Sequence, residues 1–305
     1  MLPIYFAPLQ GYTEDAYRRL HHSNIGGVDA YFTPFVRWEH GGVRSKDMRD
    51  IRREFNSGVP LVPQVIASSA KELQSLLDVL LPLDYKHIDI NMGCPFPLQT
   101  RHGRGAGILQ HPEAVKEICK IIKEHPQIEF SVKTRLGLES NDEWKQILPI
   151  LNDTPLRFIT LHPRIATQQY KGTVDMEAFK EFLNASTHPV IYNGDISSIE
   201  DIQNIEKQYN VAGIMIGRGL LARPTLAQEY KTGSTIDDKT LLRIIKDIHS
   251  KLLEHYTNII PNESQQLAKI RTYWDFMEET IGRKQWKKII KAGNMKNYLI
   301  AVNSL

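Results

Sequence analysis

Residues 87–135, HIDINMGCPFPLQTRHGRGAGILQHPEAVKEICKIIKEHPQIEFSVKTR, contain one complete repeat of the pattern that decides the fold. A β-branched run, HIDINM, is followed by a glycine-rich connection, a segment at 112–123 with apolar residues at three- and four-residue spacing, and a second β-branched run, FSVKTR. Such spacing predicts an amphipathic helix between two strands. Because strands joined through a helix lie parallel, the stretch predicts a strand-helix-strand unit of a parallel sheet.

The same alternation continues along most of the chain. Eight candidate strands occur before residue 220, namely PIYFAP, DAYFTPF, PLVPQVIA, HIDINM, FSVKTR, RFITLHP, PVIYNG and AGIMIG. Helical spacing recurs between them at 70–81, 112–123, 142–151, 176–183 and 198–209. Eight parallel strands with crossover helices favour an α/β fold closed into a parallel (β/α)8 TIM barrel. The alternative is a doubly wound open sheet.

The strand pattern stops after about residue 233. Three helices are predicted at 237–256, 264–281 and 284–303, separated by Pro261 and Gly282. A barrel of about 250 residues does not use the whole chain of 305 residues. We therefore expect two domains, a catalytic barrel at 1–233 and a helical domain at 237–305.

Composition limits the class of protein. The formal net charge of +3 is too small to indicate a nucleic-acid partner by itself, and two cysteines are too few for a disulfide framework or a metal cluster. No run of about 18 apolar residues occurs, and the start of the chain does not resemble a secretory leader. We expect a cytoplasmic, monomeric protein with no membrane partner and no bound metal.

One end of the chain is strongly basic. No Asp or Glu occurs from Thr280 onward, whereas six cations are interleaved there with Trp286 and Tyr298, namely Arg283, Lys284, Lys287, Lys288, Lys291 and Lys296. The pattern indicates a surface for RNA phosphates, for which Lys284, Lys287, Lys288 and Lys291 are the candidate contacts. The alternative is an ordinary solvated helix face.

Polar residues end most of the candidate strands. In a parallel barrel the active site forms at the carboxyl ends of the strands, so these side chains are expected to face one cavity. Each alone could simply cap a strand. Together they predict a ligand site formed by Gln64, Asn91, Lys133, Arg135, His162, Arg164, Asn193, Gly217 and Arg218.

Two features of this set indicate the ligand. The seventh and eighth strands end in YNGD and IGRG, where glycines admit backbone N–H groups and Arg218 offers a fork of donors for phosphate. Lys133 places a cation on an apolar strand, which favours an anionic partner such as reduced flavin. A salt bridge to Asp89 is the alternative. A phosphorylated flavin such as FMN fits both features.

The connection at 91–110 is predicted to be a functional loop, since it has four glycines, two prolines and no apolar periodicity. It carries Cys94 between Gly93 and Pro95, so this thiol has no helical partner on which to pack. Cys119 lies inside the helical pattern VKEICKII and is predicted to be a buried apolar residue. Cys94 is therefore the candidate reactive thiol.

Five motifs in order resemble the tRNA-dihydrouridine synthase family, a set of FMN barrels with a carboxyl-terminal helical domain. They are APLQGYTEDAYRRL, IDINMGCP with GRGAGIL, SVKTRLG, LHPRIATQQYKG, and NGDI with GIMIGRG, and they extend over residues 7–219. The resemblance implies that the C5–C6 double bond of a uridine in tRNA is reduced, with FMN as the bound cofactor and NADPH as the reductant.

The resemblance also implies roles for individual residues. FMN would be held by Gln64, Lys133, His162, Asn193, Gly194, Asp195, Gly217 and Arg218, with backbone contacts from Ala7 and Pro8. Asn91 would orient the substrate, Cys94 would be the general acid, and Arg164, Tyr170 and Lys171 would contact the RNA.

Two other functions fit parts of the same pattern. An FMN barrel that reduces a small pyrimidine, similar to dihydroorotate dehydrogenase, has no need of the basic helical tail, whereas an RNA held through many phosphates does. A non-enzymatic RNA-binding protein that keeps the barrel as a scaffold would lack flavin absorbance.

Overall fold

Eight parallel strands close into a barrel in the computed structural model, which describes residues 1–305. The strands are β1 Ile4–Phe6, β2 Ala30–Phe32, β3 in two segments, Leu61–Val62 and Gln64–Ile66, β4 His87–Met92, β5 Glu129–Gly137, β6 Leu156–Ile165, β7 Val190–Tyr192 and β8 Gly213–Ile216. The pairing of Ile4 with Ile214 and of Phe6 with Ile216 joins β1 to β8 and closes the ring. The predicted barrel is confirmed, and the open doubly wound sheet is wrong.

The third strand and its neighbour differ in detail from the prediction. Pro63 interrupts β3 because proline has no N–H to donate to the sheet. The second segment of β3 also pairs with Val36–Glu39, which forms an antiparallel hairpin with Gly42–Val43 that the sequence did not indicate. His40 and Gly41 have φ values of +51° and +80°, as a tight two-residue hairpin turn requires.

The amino-terminal end of the barrel is filled by aromatic rings. The ring of Phe158 stacks on Tyr5 with centroids 5.6 Å apart and meets His87 edge-on at 5.4 Å. Phe32 packs against the same rings. This apolar plug leaves the opposite end, where the strands terminate in polar residues, as the open mouth of the barrel.

Helices surround the barrel and follow it in the chain. Those up to residue 232 are α1 Asp15–Asn24, α2 Ser45–Ile51, α3 Ala70–Leu80, α4 Pro97–Thr100, α5 Pro112–Glu124, α6 Trp144–Asn152, α7 Met176–Ala185, α8 Ile199–Gln208, α9 Arg218–Ala222 and α10 Leu226–Thr232. The five predicted crossover helices are confirmed to within a few residues as α3, α5, α6, α7 and α8. None of the helices in the chain is both long and apolar enough to cross a membrane.

The tail contains more helices than predicted. They are α11 Asp238–Ile259, α12 Glu263–Arg271, α13 Glu278–Ile281, α14 Arg283–Ile290 and α15 Met295–Asn303. The single helices expected at 264–281 and 284–303 are wrong, because each is divided. In the first, Trp274 is fully buried in a 3-10 turn and donates from Nε1 to Tyr298 Oη (2.8 Å). In the second, Asn294 caps α15 after Gly293 by accepting from Asn297 N (2.9 Å).

The tail packs beside the barrel mouth. Lys269 of α12 donates to the Gly11 carbonyl (2.8 Å) and forms a salt bridge with Glu14 (2.8 Å), both in the segment that follows β1. Tyr12 of the same segment donates to Asp275 Oδ2 (3.0 Å). The largest apolar core cluster includes residues from both the barrel and the tail. The segment after β1 is thus held directly by the tail.

Candidate active site at the barrel mouth

Lys133 lies near the end of β5, where its ammonium donates to Asn193 Oδ1 (2.7 Å). Asn193 is fixed in turn, since its Nδ2 donates to the Met215 carbonyl of β8 (2.7 Å). Burial, followed by the charge of Arg135, lowers the pKa of Lys133 to about 8. The lysine forms no salt bridge, and the Asp89 carboxylate accepts from Gln64 and Ser131 instead. A cation held without a counter-charge fits an anionic ligand.

His162, near the end of β6, is an uncharged donor. Its side chain is buried, and burial together with Arg135 and Lys133 lowers its pKa well below the usual value. Arg164 Nη1 lies 3.1 Å from His162 Nε2. Because a guanidinium only donates, Nε2 is the acceptor and the imidazole hydrogen lies on Nδ1. Nδ1 has no protein partner, so this N–H is available to a ligand.

Arg164, which the family resemblance implied would contact the RNA, does not lie on the rim. It is only 1% exposed, and its guanidinium forms an ion pair with Asp195 and donates to the Gly172 carbonyl (2.6 Å). Arg218 shares the Asp195 carboxylate at 3.0 Å but remains partly exposed. Asp195, which was expected beside the cofactor, therefore joins two arginines. Arg164 is buried beneath the mouth and holds Asp195 and Gly172 in place.

The ends of β7 and β8 approach the neighbouring elements closely. A Cβ at Gly194 would lie 2.9 Å from Val174 Cγ1, and a Cβ at Gly217 would lie 3.3 Å from Leu9 Cδ1 and 3.4 Å from Ala7 Cβ. Ala7 N donates to the Ile216 carbonyl (2.8 Å), which brings the segment with Ala7 and Pro8 beside the start of α9. Gly194 is buried and Gly217 is half-buried, and neither position leaves room for a larger side chain.

Cys94 is held by its loop through the backbone. Asn91 Oδ1 accepts from Cys94 N (2.8 Å) and Gly93 N (3.1 Å), and Ala106 N donates to the Cys94 carbonyl (3.0 Å). Gly105 has a φ of +58°, and a Cβ there would lie 2.7 Å from Cys94 Cβ. The GRGAGIL motif therefore packs directly on the candidate thiol. The loop itself includes α4 and a 3-10 segment, Gly105–Gln110.

The Cys94 thiol is protonated at neutral pH. It is 8% exposed and packs with Phe35 and Ile66, and burial raises its pKa above the ordinary value. The opposing effects include the charges of Arg135 and Lys133, which favour the thiolate. A thiol that carries its proton, beside cations that stabilise the conjugate base, is suited to general acid catalysis. Cys119 lies buried in α5, as predicted.

Arg135 has a positioning role that the sequence analysis did not give it. Its Nε donates to the Gly93 carbonyl (3.0 Å), and Nη1 donates to Ile165 O (3.1 Å) and Gln169 O (2.9 Å). The guanidinium thus joins the Cys94 loop to the loop after β6. The available signal was its place two residues beyond Lys133, although carbonyl partners cannot be identified from sequence.

Exposed residues lie at the rim and on the tail. Tyr170 is 42% exposed, with the guanidinium carbons of Arg218 and Arg135 at 4.4 Å and 5.7 Å from its ring centroid, and Lys171 beside it is exposed. On the tail, Trp286 anchors α14 by donating to the Trp274 carbonyl (2.8 Å). Four exposed lysines there form no salt bridge, namely Lys284, Lys287, Lys288 and Lys291.

Comparisons with known proteins give matches over most of the chain. A family model described as dihydrouridine synthase matches residues 5–303. The tRNA-dihydrouridine(16) synthase of Neisseria meningitidis serogroup A is 27% identical over 290 residues, covering 91% of this chain and 86% of the relative. The probable tRNA-dihydrouridine synthase 2 of Bacillus subtilis is 29% identical over 253 residues, covering 80% of this chain and 77% of the relative.

A solved structure shows the same barrel. Histamine dehydrogenase from Rhizobium sp. 4-9 superimposes with a TM-score of 0.55 at 13% identity, covering 75% of this chain. The match extends over 45% of that longer chain. At this level of identity the likeness concerns the fold.

Proposed function

The chain belongs to the dihydrouridine synthase family, and from that premise we propose that it reduces a uridine of tRNA to dihydrouridine, with FMN as the bound cofactor and NADPH as the reductant. The observation that carries the proposal is the placement of Cys94. A buried, protonated thiol lies on the loop that Arg135 joins to the rim of the mouth, and Lys133 is near enough to favour the thiolate.

The residues of the mouth suit FMN. Lys133 would meet the electron-rich edge of the ring, the Nδ1–H of His162 would donate to it, and Arg218 would hold the phosphate beside the glycines at the ends of β7 and β8. Gln64, expected beside the cofactor, is fully buried and donates to Asp89 (2.7 Å), and Asn193 keeps Lys133 in place. FMN, when bound, supplies the hydride that adds to C6 of the uracil, and NADPH restores it.

Cys94 completes the reduction by giving its proton to C5 of the uracil. The S–H bond breaks, a C5–H bond forms, and the thiolate regains a proton from solvent. Arg135 and Lys133 stabilise the thiolate in the interval, since both charges lower the pKa of this thiol. Asn91 accepts from the backbone N–H of Cys94 and so sets the direction of the thiol; its own contact with the uracil is part of the proposal.

The helical tail would hold the RNA. In this proposal residues 1–233 form the catalytic domain and residues 237–305 the tRNA-binding domain. The exposed lysines of α14 would contact phosphates, while Tyr170 and Lys171 at the rim would meet the RNA near the splayed uridine. The enzyme would act on cytoplasmic tRNA as a monomer.

The proposed acid can be tested by a single-turnover experiment. Pre-reduced enzyme is mixed with unmodified tRNA, and flavin oxidation is followed by absorbance. Cys94→Ala is expected to bind FMN and tRNA normally and to slow this oxidation by about 10² to 10⁴, the range for a positioned general acid. Cys119→Ala, also buried, is the matched control and should retain the parental rate.

Two results would contradict the proposal. Oxidation of Cys94→Ala at the parental rate would assign the proton to another group. Oxidation by free uridine monophosphate at the rate seen with tRNA would favour the small-pyrimidine reductase.

A further inference from the structure

A chain of buried hydrogen bonds runs from the barrel interior to the Cys94 loop. Asp89 of β4 is 0% exposed, and its Oδ2 accepts from Gln64 Nε2 (2.7 Å). Gln64 Oε1 accepts from Asn91 Nδ2 (2.8 Å), and Asn91 Oδ1 accepts from Cys94 N (2.8 Å) and Gly93 N (3.1 Å). Two amide side chains thus separate a buried carboxylate from the backbone that carries the thiol.

Hydrogen-bond polarity fixes the direction of every link. Asp89 Oδ2 accepts from Gln64, so the Gln64 amide turns its nitrogen toward Asp89 and its oxygen toward Asn91. The Asn91 amide must then turn its nitrogen toward Gln64 and its oxygen toward the loop. The backbone N–H groups of the loop only donate, so they match this orientation. Reversing either amide would create mismatched contacts at both of its ends.

The other oxygen of Asp89 is satisfied inside the barrel. Oδ1 accepts from Ser131 Oγ (2.5 Å), and His87 Nε2 lies 2.9 Å from the same hydroxyl. Burial raises the pKa of Asp89 to about 7, and the charge of Lys133 opposes this shift without forming a salt bridge, since the lysine donates to Asn193. Burying an unpaired carboxylate is costly. Its place beneath the Cys94 loop points to a role in the site.

We propose that Asp89 is a positioning residue for Cys94: its carboxylate sets the orientation of the Gln64 and Asn91 amides and thereby fixes the loop that carries the thiol. The functional consequence rests on the proposed role of Cys94 as the acid. The structural consequence, a loop held from the barrel interior, does not depend on that role.

The test compares Asp89→Leu with Asp89→Asn in the FMN-bound protein. Leucine accepts no hydrogen bond, so the Gln64 amide loses its partner in the barrel interior and the two amides are held from the loop end only. Asparagine can still accept from Gln64 through Oδ1 and donate to Ser131 through Nδ2. Asp89→Asn should therefore keep the parental position of the Cys94 loop. Ser131→Ala is the control, because it removes the other partner of Asp89 and leaves the Gln64 contact intact.

The first readout is hydrogen exchange at the backbone amides of Gly93 and Cys94, with Ile88 and Ile90 of β4 as internal references. Asp89→Leu should speed exchange at the two loop amides by about tenfold, as loss of roughly one hydrogen bond implies. Asp89→Asn and Ser131→Ala should exchange as the parent does. Parental exchange in Asp89→Leu, or equal acceleration in Asp89→Asn or in Ser131→Ala, would overturn the proposal.

The second readout separates kcat from KM for tRNA reduction. Misplacement of the thiol should lower kcat by at least about tenfold and leave KM within about twofold. If Asp89→Leu does not fold, Asp89→Ser replaces it, since its hydroxyl lies one bond nearer the backbone and keeps the interior polar. If the loop amides of Asp89→Leu exchange faster but Cys94→Ala reacts at the parental rate, the acid role of Cys94 is refuted and the positioning role of Asp89 is kept. If the loop amides of Asp89→Leu exchange as in the parent, only the positioning role of Asp89 is refuted.

Discussion

Replacing Asp195 with asparagine removes the negative charge that faces the buried guanidinium of Arg164. The backbone at Asp195 has a φ of +44°, which asparagine adopts as readily as aspartate, so the local conformation is kept. Arg164 is 1% exposed and would be left without its counter-charge. Breaking a buried pair in this way costs about 3 to 5 kcal/mol. We expect about 3 kcal/mol, since the Asp195 side chain is 40% exposed and water can reach the gap.

Urea unfolding measures this cost as a shift of the midpoint at constant slope. Arg218→Met is the matched control, because Arg218 binds the same carboxylate but is 36% exposed. It should lower the free energy of unfolding by less than about 1 kcal/mol, as for other surface ion pairs. If Asp195→Asn costs no more than Arg218→Met, Arg164 is not an anchored residue and is free to contact RNA, as its position in the sequence predicted.

Three further predictions concern the cofactor, the RNA and acid stability. Lys133→Ala should weaken FMN retention at least about tenfold on gel filtration, since a buried charge pair is lost, and parental retention would contradict the cofactor placement. Neutralising the four tail lysines should reduce the slope of log binding constant against log salt concentration for tRNA by about 0.7 to 0.9 per lost phosphate contact. An unchanged slope would show that these lysines only face solvent. Burial lowers the pKa of His249 to about 4, so its neutral form stabilises the fold above pH 6.5, and this contribution is lost as pH falls toward 4. His249→Phe should remove on the order of 3 kcal/mol from the loss of unfolding free energy between pH 6.5 and 4. The same pH dependence in the variant and the parent would refute this role of His249.

The barrel and most of its mouth could be predicted from sequence because their signals are local. A strand that ends in a polar residue is visible in a few letters, and the closure of eight such strands then places those ends together. Lys133 and His162 were found in this way, and Cys94 was found by its place in the glycine-rich connection after the fourth strand; their roles at the site remain predictions.

The interactions that fix the site depend on distant parts of the chain. Arg164 had the appearance of a rim residue because its counter-charge lies 31 residues further along, at Asp195. Asp89 was expected at most as a salt-bridge partner of Lys133, because its hydrogen-bond partners Gln64 and Ser131 lie on two neighbouring strands. The divided helices of the tail show the same limit, since apolar spacing continues across a break that the burial of Trp274 imposes.

The proposed formation of dihydrouridine by this chain can be observed directly in tRNA. The direct test is to map dihydrouridine position by position in tRNA from cells with the gene, without it, and without it but supplied with the Cys94→Ala variant. Dihydrouridine is expected to disappear from a defined position in the deleted strain, to return with the parental gene and to stay absent with the variant. An unchanged dihydrouridine map in the deleted strain, with purified enzyme also inactive on its unmodified tRNA, would contradict it.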